Sequence, residues 1–170
     1  SLPTLFLSGE GATVLRSSGR LLDQIDARIN RTARYMLAVV APGGLEGSGR
    51  ALRASCEVRL LHACVRKSLT LEPRATVPIC QQDLVATLFA FGVTPIAAAR
   101  RLGLSVSAEE ADDYYQLWLA VAPALGVNLE LVPRRFADAD AMFDRLVERA
   151  TTVSDAGRAL LVDLMVDGDP

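Results

Sequence analysis

The chain has 170 residues, of which 51% are hydrophobic, and a mean hydropathy of +0.26, so it can bury one core and is not an intrinsically disordered protein. Its net charge of −2 and its pI near 5.4 provide no basic surface, which argues against nucleic-acid binding. No apolar run reaches the roughly 18 residues of a membrane-spanning helix, so no transmembrane segment is expected.

Apolar residues recur at intervals of three and four along the whole chain, which predicts an all-α protein. Residues 1–170 are expected to form a single domain of about seven helices. In chain order, the predicted helices are Gly19–Ala41, Arg50–Leu69, Pro78–Phe91, Pro95–Leu102, one opened by a Ser107–Glu110 capping box and kinked or ended by Pro123, Phe136–Ala150, and Asp155–Val166.

The cysteines are odd in number and lack a C-x-x-C spacing. Cys56, Cys64 and Cys80 are therefore predicted to be buried thiols in a reducing compartment, with a cytoplasmic location expected, rather than parts of a disulfide framework or a zinc site.

The only histidine, His62, lies on the second predicted helix. On a wheel of about 100° per residue, its near neighbours are Ser55, Val58, Arg59, Val65, Arg66 and Leu69. Leu60, Leu61, Ala63 and Cys64 cover much of the rest, and a helix that is apolar nearly all round is predicted to be buried. Burial and the two arginines both disfavour the imidazolium form.

A neutral buried imidazole has two interpretations. It can be a core residue hydrogen-bonded to a carbonyl, or it can bind a metal through its free lone pair. One histidine is too few for the usual iron or zinc sites made of side chains alone. Haem needs only one axial ligand from the protein, so haem iron is the most economical metal for His62.

The first predicted helix carries Arg28 in the middle of its apolar stripe, which is formed by Leu21, Ile25, Thr32, Tyr35 and Val39. A cation in such a stripe is costly unless it is paired or bound to an anion. Arg28 could snorkel, form an ion pair with a carboxylate such as Asp83, or, together with Thr32, form a polar wall that faces a buried ligand.

Later in the chain, Asp83 and Thr87 are predicted to tie helices together through hydrogen bonds. Tyr114, Tyr115 and Trp118 recur at helical spacing and are predicted to belong to the core.

Four segments together resemble the rubber-oxygenase superfamily, which includes the bacterial latex clearing proteins and the fungal oxygenase of mycophenolic acid biosynthesis. The segments are "DARINRTARYMLAVVAPGG", "VRLLHACVR", "VPICQQDLVATLFAFG" and "RRLGLSVSAEEADDYYQLWLAVAPALGV". They occur in the family's order and span roughly Gly19 to Leu164.

The resemblance implies a globin-like helical bundle that holds haem b, with His62 as the proximal iron ligand. It also implies that Arg28 and Thr32 line the distal side of the pocket as catalytic residues. Arg31 stands where latex clearing proteins have an iron-ligating lysine, and because a guanidinium does not ligate iron, an open or water-bound distal site is expected. Arg31 is grouped with Arg59 and Arg66 among the residues expected at the cofactor; Arg59 and Arg66 could instead form salt bridges that set the helix.

The function implied is oxidation or cleavage of a small apolar, unsaturated, isoprenoid-like substrate with dioxygen. Two alternatives stay open at this point. One is a non-catalytic protein that carries haem or a lipophile, and the other is a helical ligand-binding regulator that contains no metal.

Overall fold

The computed structural model describes residues 25–47, 49–69 and 78–149. The predicted helix Asp155–Val166 and the start of the first predicted helix lie outside these ranges. Within them the chain forms a bundle of six α-helices and one 3₁₀ turn, without strands, which confirms the all-α prediction. The elements are α1 (Ile25–Val40), α2 (Arg50–Leu69), α3 (Gln81–Gly92), α4 (Thr94–Arg101), α5 (Ala108–Leu125), the 3₁₀ turn Leu129–Leu131 and α6 (Phe136–Arg149).

Helix α5 is the centre of the bundle, because it packs against α1, α2, α3 and α6. Its residue Trp118 is fully buried and contacts three other aromatic rings. Phe91 stacks on it at 5.3 Å between ring centroids, Tyr35 meets it edge-on at 6.0 Å, and Tyr114 lies tilted at 6.5 Å. Since Tyr115 is also fully buried, the prediction that these aromatic residues form core is confirmed.

Local signals at both ends of α5 explain its extent. At the start, the Ser107 hydroxyl accepts from the Glu110 backbone N–H at 3.1 Å and the Glu110 carboxylate accepts from the Ser107 N–H at 2.8 Å, so the predicted capping box is confirmed. At the other end, Gly126 adopts φ +90°, a left-handed C-cap that favours glycine. Pro123 lies inside the last turn, and the helix ends two residues after it.

Helix α3 begins at Gln81, three residues later than the predicted start at Pro78. Ile79 has φ 55°, which is incompatible with a helix and places the boundary after it. The Asp83 carboxylate accepts from the Cys80 backbone N–H at 2.9 Å, and the Thr87 hydroxyl donates to the Asp83 carbonyl at 2.8 Å. Among the described residues both bonds are local to α3, so they do not support the prediction that these side chains tie helices together.

Gln81 makes the connection between helices instead. Its side-chain amide donates to the Gly126 carbonyl and accepts from the Asn128 backbone N–H, both at 2.9 Å. The start of α3 is thereby joined to the end of α5. At the other end of α3, a Cβ on Gly92 would lie 3.2 Å from the Tyr115 ring and 3.3 Å from Trp118 Cβ, so a glycine lets the two helices approach closely.

Residues Gln81–Arg101 are long and apolar enough by composition to cross a membrane. In the bundle this stretch is divided into α3 and α4 at Val93, and it contributes Leu84, Val85 and Phe89 to the core. The absence of a transmembrane segment therefore stays a prediction.

Candidate functional site

The two helices that carry the predicted site form a hairpin. α1 and α2 pack against each other and are joined by the segment 41–49, whose course depends on Gly44. A Cβ on Gly44 would collide with the carbonyl oxygens of Ala38 and Ala41, and the Gly44 carbonyl accepts from the Ala51 N–H at 3.1 Å. The connection is short enough to make α1 and α2 antiparallel neighbours.

A hydrogen bond between side chains joins these helices near the closed end of the hairpin. Tyr35 Oη lies 2.9 Å from Ser55 Oγ. The Ser55 hydroxyl, which is fully buried, gives its own proton to the Ala51 carbonyl at 2.8 Å, so Tyr35 is the donor in the bond between the helices. Burial raises the pKa of the Tyr35 phenol, with an opposing contribution from Ser55, so the phenol keeps this proton at neutral pH.

This bond sets the register of the two helices. Arg28 precedes Tyr35 by seven residues, and His62 follows Ser55 by seven. In an antiparallel pair, both backbone positions then lie about 10 Å along the hairpin from the bond, because a helix rises about 1.5 Å per residue. For closely antiparallel axes, residue 28 and His62 are therefore expected to lie level with each other; the side chain of Arg28 lies outside the described part of the chain.

His62 itself is half-buried, on the inward stripe of α2 with Ser55, Val58 and Val65. Its Nδ1 atom is buried and, among the described residues, has no hydrogen-bond partner. Burial, followed by the nearby positive charge of Arg66, lowers the pKa of the imidazole. The predicted neutral form is therefore favoured, and in the described part of the chain no carbonyl holds Nδ1 as it would hold an ordinary core histidine.

The opposite face of α2 is exposed, contrary to the prediction of a buried helix. Leu60 and Leu61 are 66% and 58% exposed. Cys56 and Cys64 are exposed and Cys80 is half-buried, so the prediction of buried thiols is wrong. All three are free thiols, as expected. The helix wheel separated Ser55 and Val58 from the exposed Leu60 and Leu61, but it could not show that no described element covers the outer face.

Arg59 and Arg66, expected at the cofactor, each contact a backbone carbonyl, and their role at a cofactor stays a prediction. Arg59 is exposed and its Nη1 donates to the Pro123 carbonyl at 3.3 Å, at the end of α5. Arg66 is half-buried and its Nη1 donates to the Ile79 carbonyl at 3.4 Å, just before α3. Both bonds are long, and each joins α2 to a neighbouring segment. Of these two arginines, Arg66 contributes to the lowered pKa of His62.

On α1, the apolar stripe is buried at Val39 and half-buried at Tyr35, whereas Thr32 and Arg31 are exposed. Thr32 lies one turn from Tyr35, on the side of residue 28. The roles of Arg28, Arg31 and Thr32 at a cofactor therefore stay predictions.

Within residues 25–47, 49–69 and 78–149, no three His, Cys, Asp or Glu side chains come together as a metal-binding group. The described part of the chain thus offers no ligand set for a metal held by side chains alone. A group that brings most of its own ligands would need only His62 from the protein.

The pKa shift of His62 makes a pH-dependent prediction. In the unfolded chain the imidazole of His62 takes up a proton at about pH 6.5, whereas in the folded chain it does so only at lower pH. The unfolded state therefore binds more protons than the folded state between about pH 7.5 and 5.5. The free energy of unfolding is therefore expected to fall as the pH falls through this range. Urea unfolding at both pH values measures the drop, and His62→Gln should abolish most of it; an equal drop in that variant would contradict the assignment.

Sequence comparison places these features in a known family. Residues 6–169 match the family described as "ER-bound oxygenase mpaB/B'/Rubber oxygenase, catalytic domain". The chain belongs to this family. The match covers nearly the whole chain, so the resemblance predicted from the four segments is confirmed.

Among curated relatives of this oxygenase family, the rubber oxygenase of Streptomyces sp. (strain K30) is 24% identical over 140 residues. The match covers 78% of this chain but only 34% of the relative, so the chain spans about a third of that protein's length. No solved structure matches the chain significantly.

The Tyr35–Ser55 bond and the Gln81 bridge were not predicted from the sequence. Tyr35 was placed on the apolar stripe of the first helix and Ser55 on the flank of His62, so the faces were known. The helix wheel does not indicate that the hydroxyls of Tyr35 and Ser55, 20 residues apart in the sequence, form a hydrogen bond.

Proposed function

We propose that this oxygenase-family chain binds haem b through His62 and uses it, with dioxygen, to oxidise or cleave a small apolar, unsaturated substrate. The observation that carries the proposal is the state of His62. It is the only imidazole in the chain, its pKa is lowered by burial, and its buried Nδ1 has no partner among the described residues. These properties fit an axial ligand better than a core histidine.

The chemistry that haem supplies when bound is the activation of dioxygen. The chain's own contribution begins with the neutral imidazole, because only that form has a free lone pair for a metal. The positive charge of Arg66 helps to keep His62 unprotonated. The hydrogen bond from Arg66 to the Ile79 carbonyl fixes the position of the guanidinium. A metal-binding histidine usually donates its second ring N–H to a partner. Nδ1, which has no partner among the described residues, is then the nitrogen free for a metal, and Nε2 the one that would donate to such a partner.

Arg28 and Thr32 are proposed to act on the α1 side of the pocket. Counted from the Tyr35–Ser55 bond along an antiparallel pair, residue 28 is expected at the level of His62, and Thr32 between that level and the bond. A guanidinium and a hydroxyl are both hydrogen-bond donors, so they can orient a small polar ligand and stabilise negative charge that develops on it. Arg31, next to Thr32, cannot act as a ligand to iron.

The proposed substrate class follows from the family and from the composition of the hairpin. The Streptomyces relative is named for rubber, an apolar polymer, and an apolar substrate is proposed for this chain as well. Beside His62 on α2, Val58 and Val65 are half-buried and favour an apolar ligand over a charged one.

The test is an absorption spectrum of the purified protein as isolated and after reconstitution with hemin, each before and after dithionite and carbon monoxide. A Soret band that shifts on reduction and on addition of carbon monoxide is the expected result. Oxygen consumption with a panel of terpenes and unsaturated lipids then separates an oxygenase from a haem carrier. Absence of a Soret band after reconstitution would refute haem binding and leave the metal-free regulator as the better reading.

A further inference from the structure

Tyr35 is the point at which three helices meet. It lies on α1, its phenol donates to Ser55 on α2 at 2.9 Å, and its ring meets Trp118 on α5 edge-on at 6.0 Å. Ser55 is fully buried and is itself fixed by its bond to the Ala51 carbonyl. Tyr35 is thus held both by a directed polar bond and by aromatic packing.

The directed bond has an effect that apolar packing cannot supply. Hydrophobic contacts are non-directional, so the apolar stripes of α1 and α2 tolerate a small sliding of one helix along the other. A hydrogen bond needs a donor–acceptor distance near 2.7–3.0 Å, and a buried hydroxyl that loses its partner costs free energy. In the described part of the hairpin, the Tyr35–Ser55 bond fixes the register more tightly than the apolar contacts around it.

We propose that the Tyr35–Ser55 pair is a positioning device for the haem site, which holds α1 in the register that keeps residue 28 level with His62 and Thr32 one turn nearer the bond. The proposal rests on the proposed function. Tyr35 and Ser55 do not contact the cofactor in this scheme; they act through the placement of the helices that do. Tyr35 and Ser55 lie nearer the loop that joins α1 and α2 than His62 does. Their distance from the level of His62 is about two helical turns.

The two partners should differ when they are removed one at a time. In Tyr35→Phe the ring still packs on Trp118, and Ser55 keeps its bond to Ala51. In Ser55→Ala a half-buried phenol loses its partner, which is the more costly change because it leaves a donor unsatisfied. Ser55→Ala should therefore disturb the register at least as much as Tyr35→Phe.

The experiment is a hemin titration, followed at the Soret band, of the wild type, Tyr35→Phe, Ser55→Ala and the double variant. Each single change is expected to weaken hemin binding about 3- to 10-fold, the equivalent of one net hydrogen bond. The double variant should be no weaker than the weaker single one, because both changes remove the same bond.

Tyr115→Phe is the matched control. The Tyr115 phenol also donates a single hydrogen bond, to the Pro133 carbonyl at 3.0 Å, and its ring also meets an aromatic neighbour, Phe136, edge-on. Its loss should lower the urea midpoint while leaving the hemin dissociation constant within about twofold of wild type. A role of Tyr35 in stability alone predicts the same behaviour for Tyr35→Phe.

Peptide-resolved hydrogen exchange on the protein without hemin provides a second measurement. Tyr35→Phe should speed exchange in α1 and Tyr115→Phe should not. The proposal is overturned if Tyr35→Phe and Ser55→Ala bind hemin within about twofold of wild type, or if Tyr115→Phe weakens binding equally. A wild type that binds no hemin would refute the proposed function, and with it any role of the pair toward haem, whatever the exchange data show.

Discussion

His62→Gly is expected to abolish hemin binding in a way that added imidazole reverses. Removing the axial ligand should weaken binding by more than about 100-fold, since the loss of a mere outer partner of a metal ligand already costs 10–100-fold. The glycine leaves a gap beside α2 that free imidazole can enter and in which it can bind the iron. Soret absorbance with and without imidazole measures both effects.

The rescue separates ligation from folding. Glycine in a helix interior costs about 1 kcal/mol relative to alanine, so circular dichroism should show that His62→Gly keeps its helices. Cys64→Ala is the control on the same helix: Cys64 is exposed, on the side away from His62, and its removal should leave the spectrum unchanged. If imidazole fails to restore the Soret band in a folded His62→Gly protein, His62 is not the iron ligand.

The positions of the helices could be predicted because their signals are local. The spacing of apolar residues marked each helix, and the capping box at Ser107 and the glycine that follows α5 marked its ends. The start of α3 was predicted too early because Pro78 suits a first turn, whereas the left-handed backbone of Ile79 delays the helix to Gln81. Proline is permissive at that position, so its presence alone does not fix a boundary.

Burial was harder to predict than periodicity. The wheel identified the inward stripe of α2 through Ser55 and His62, and the structure agrees with it. It could not decide whether another element covers Leu60 and Leu61, because that depends on the arrangement of the whole bundle. The same limit explains the exposed thiols of Cys56 and Cys64, since an apolar neighbourhood in sequence is not a covered one in space.

The candidate site shows the same division between local and long-range information. His62 could be singled out from the sequence because it is the only imidazole, and its pKa is lowered as expected, mainly by burial. The helix wheel puts two arginines beside it, and in the structure Arg59 reaches Pro123 and Arg66 reaches Ile79; their role at a cofactor stays a prediction. These partners lie 64 and 13 residues away, and nothing in helix periodicity indicates which carbonyl a long side chain will meet.

Trp118→Ala is expected to be the most destabilising substitution at a described position. Trp118 is fully buried in the central helix and packs against rings from α1, α3 and α5 itself, so truncation removes the shared contact of Tyr35, Phe91 and Tyr114. Replacing a buried tryptophan with alanine costs about 3–5 kcal/mol, a large part of the 5–15 kcal/mol that holds a typical domain folded. The change in the urea unfolding curve measures the cost.

Leu102→Ala is the matched control, because Leu102 is also large and apolar but is 81% exposed. The free energy of unfolding of this variant should differ from that of the wild type by no more than about 0.5 kcal/mol.

Hemin binding should also weaken in Trp118→Ala, since Tyr35 loses the ring that supports it beside Ser55. Added imidazole should not restore hemin binding in Trp118→Ala, in contrast to His62→Gly. His62 is still present in this variant, and the defect lies in the positions of the helices. If the free energy of unfolding of Trp118→Ala lies within about 1 kcal/mol of the wild-type value, α5 is not the element on which the hairpin depends.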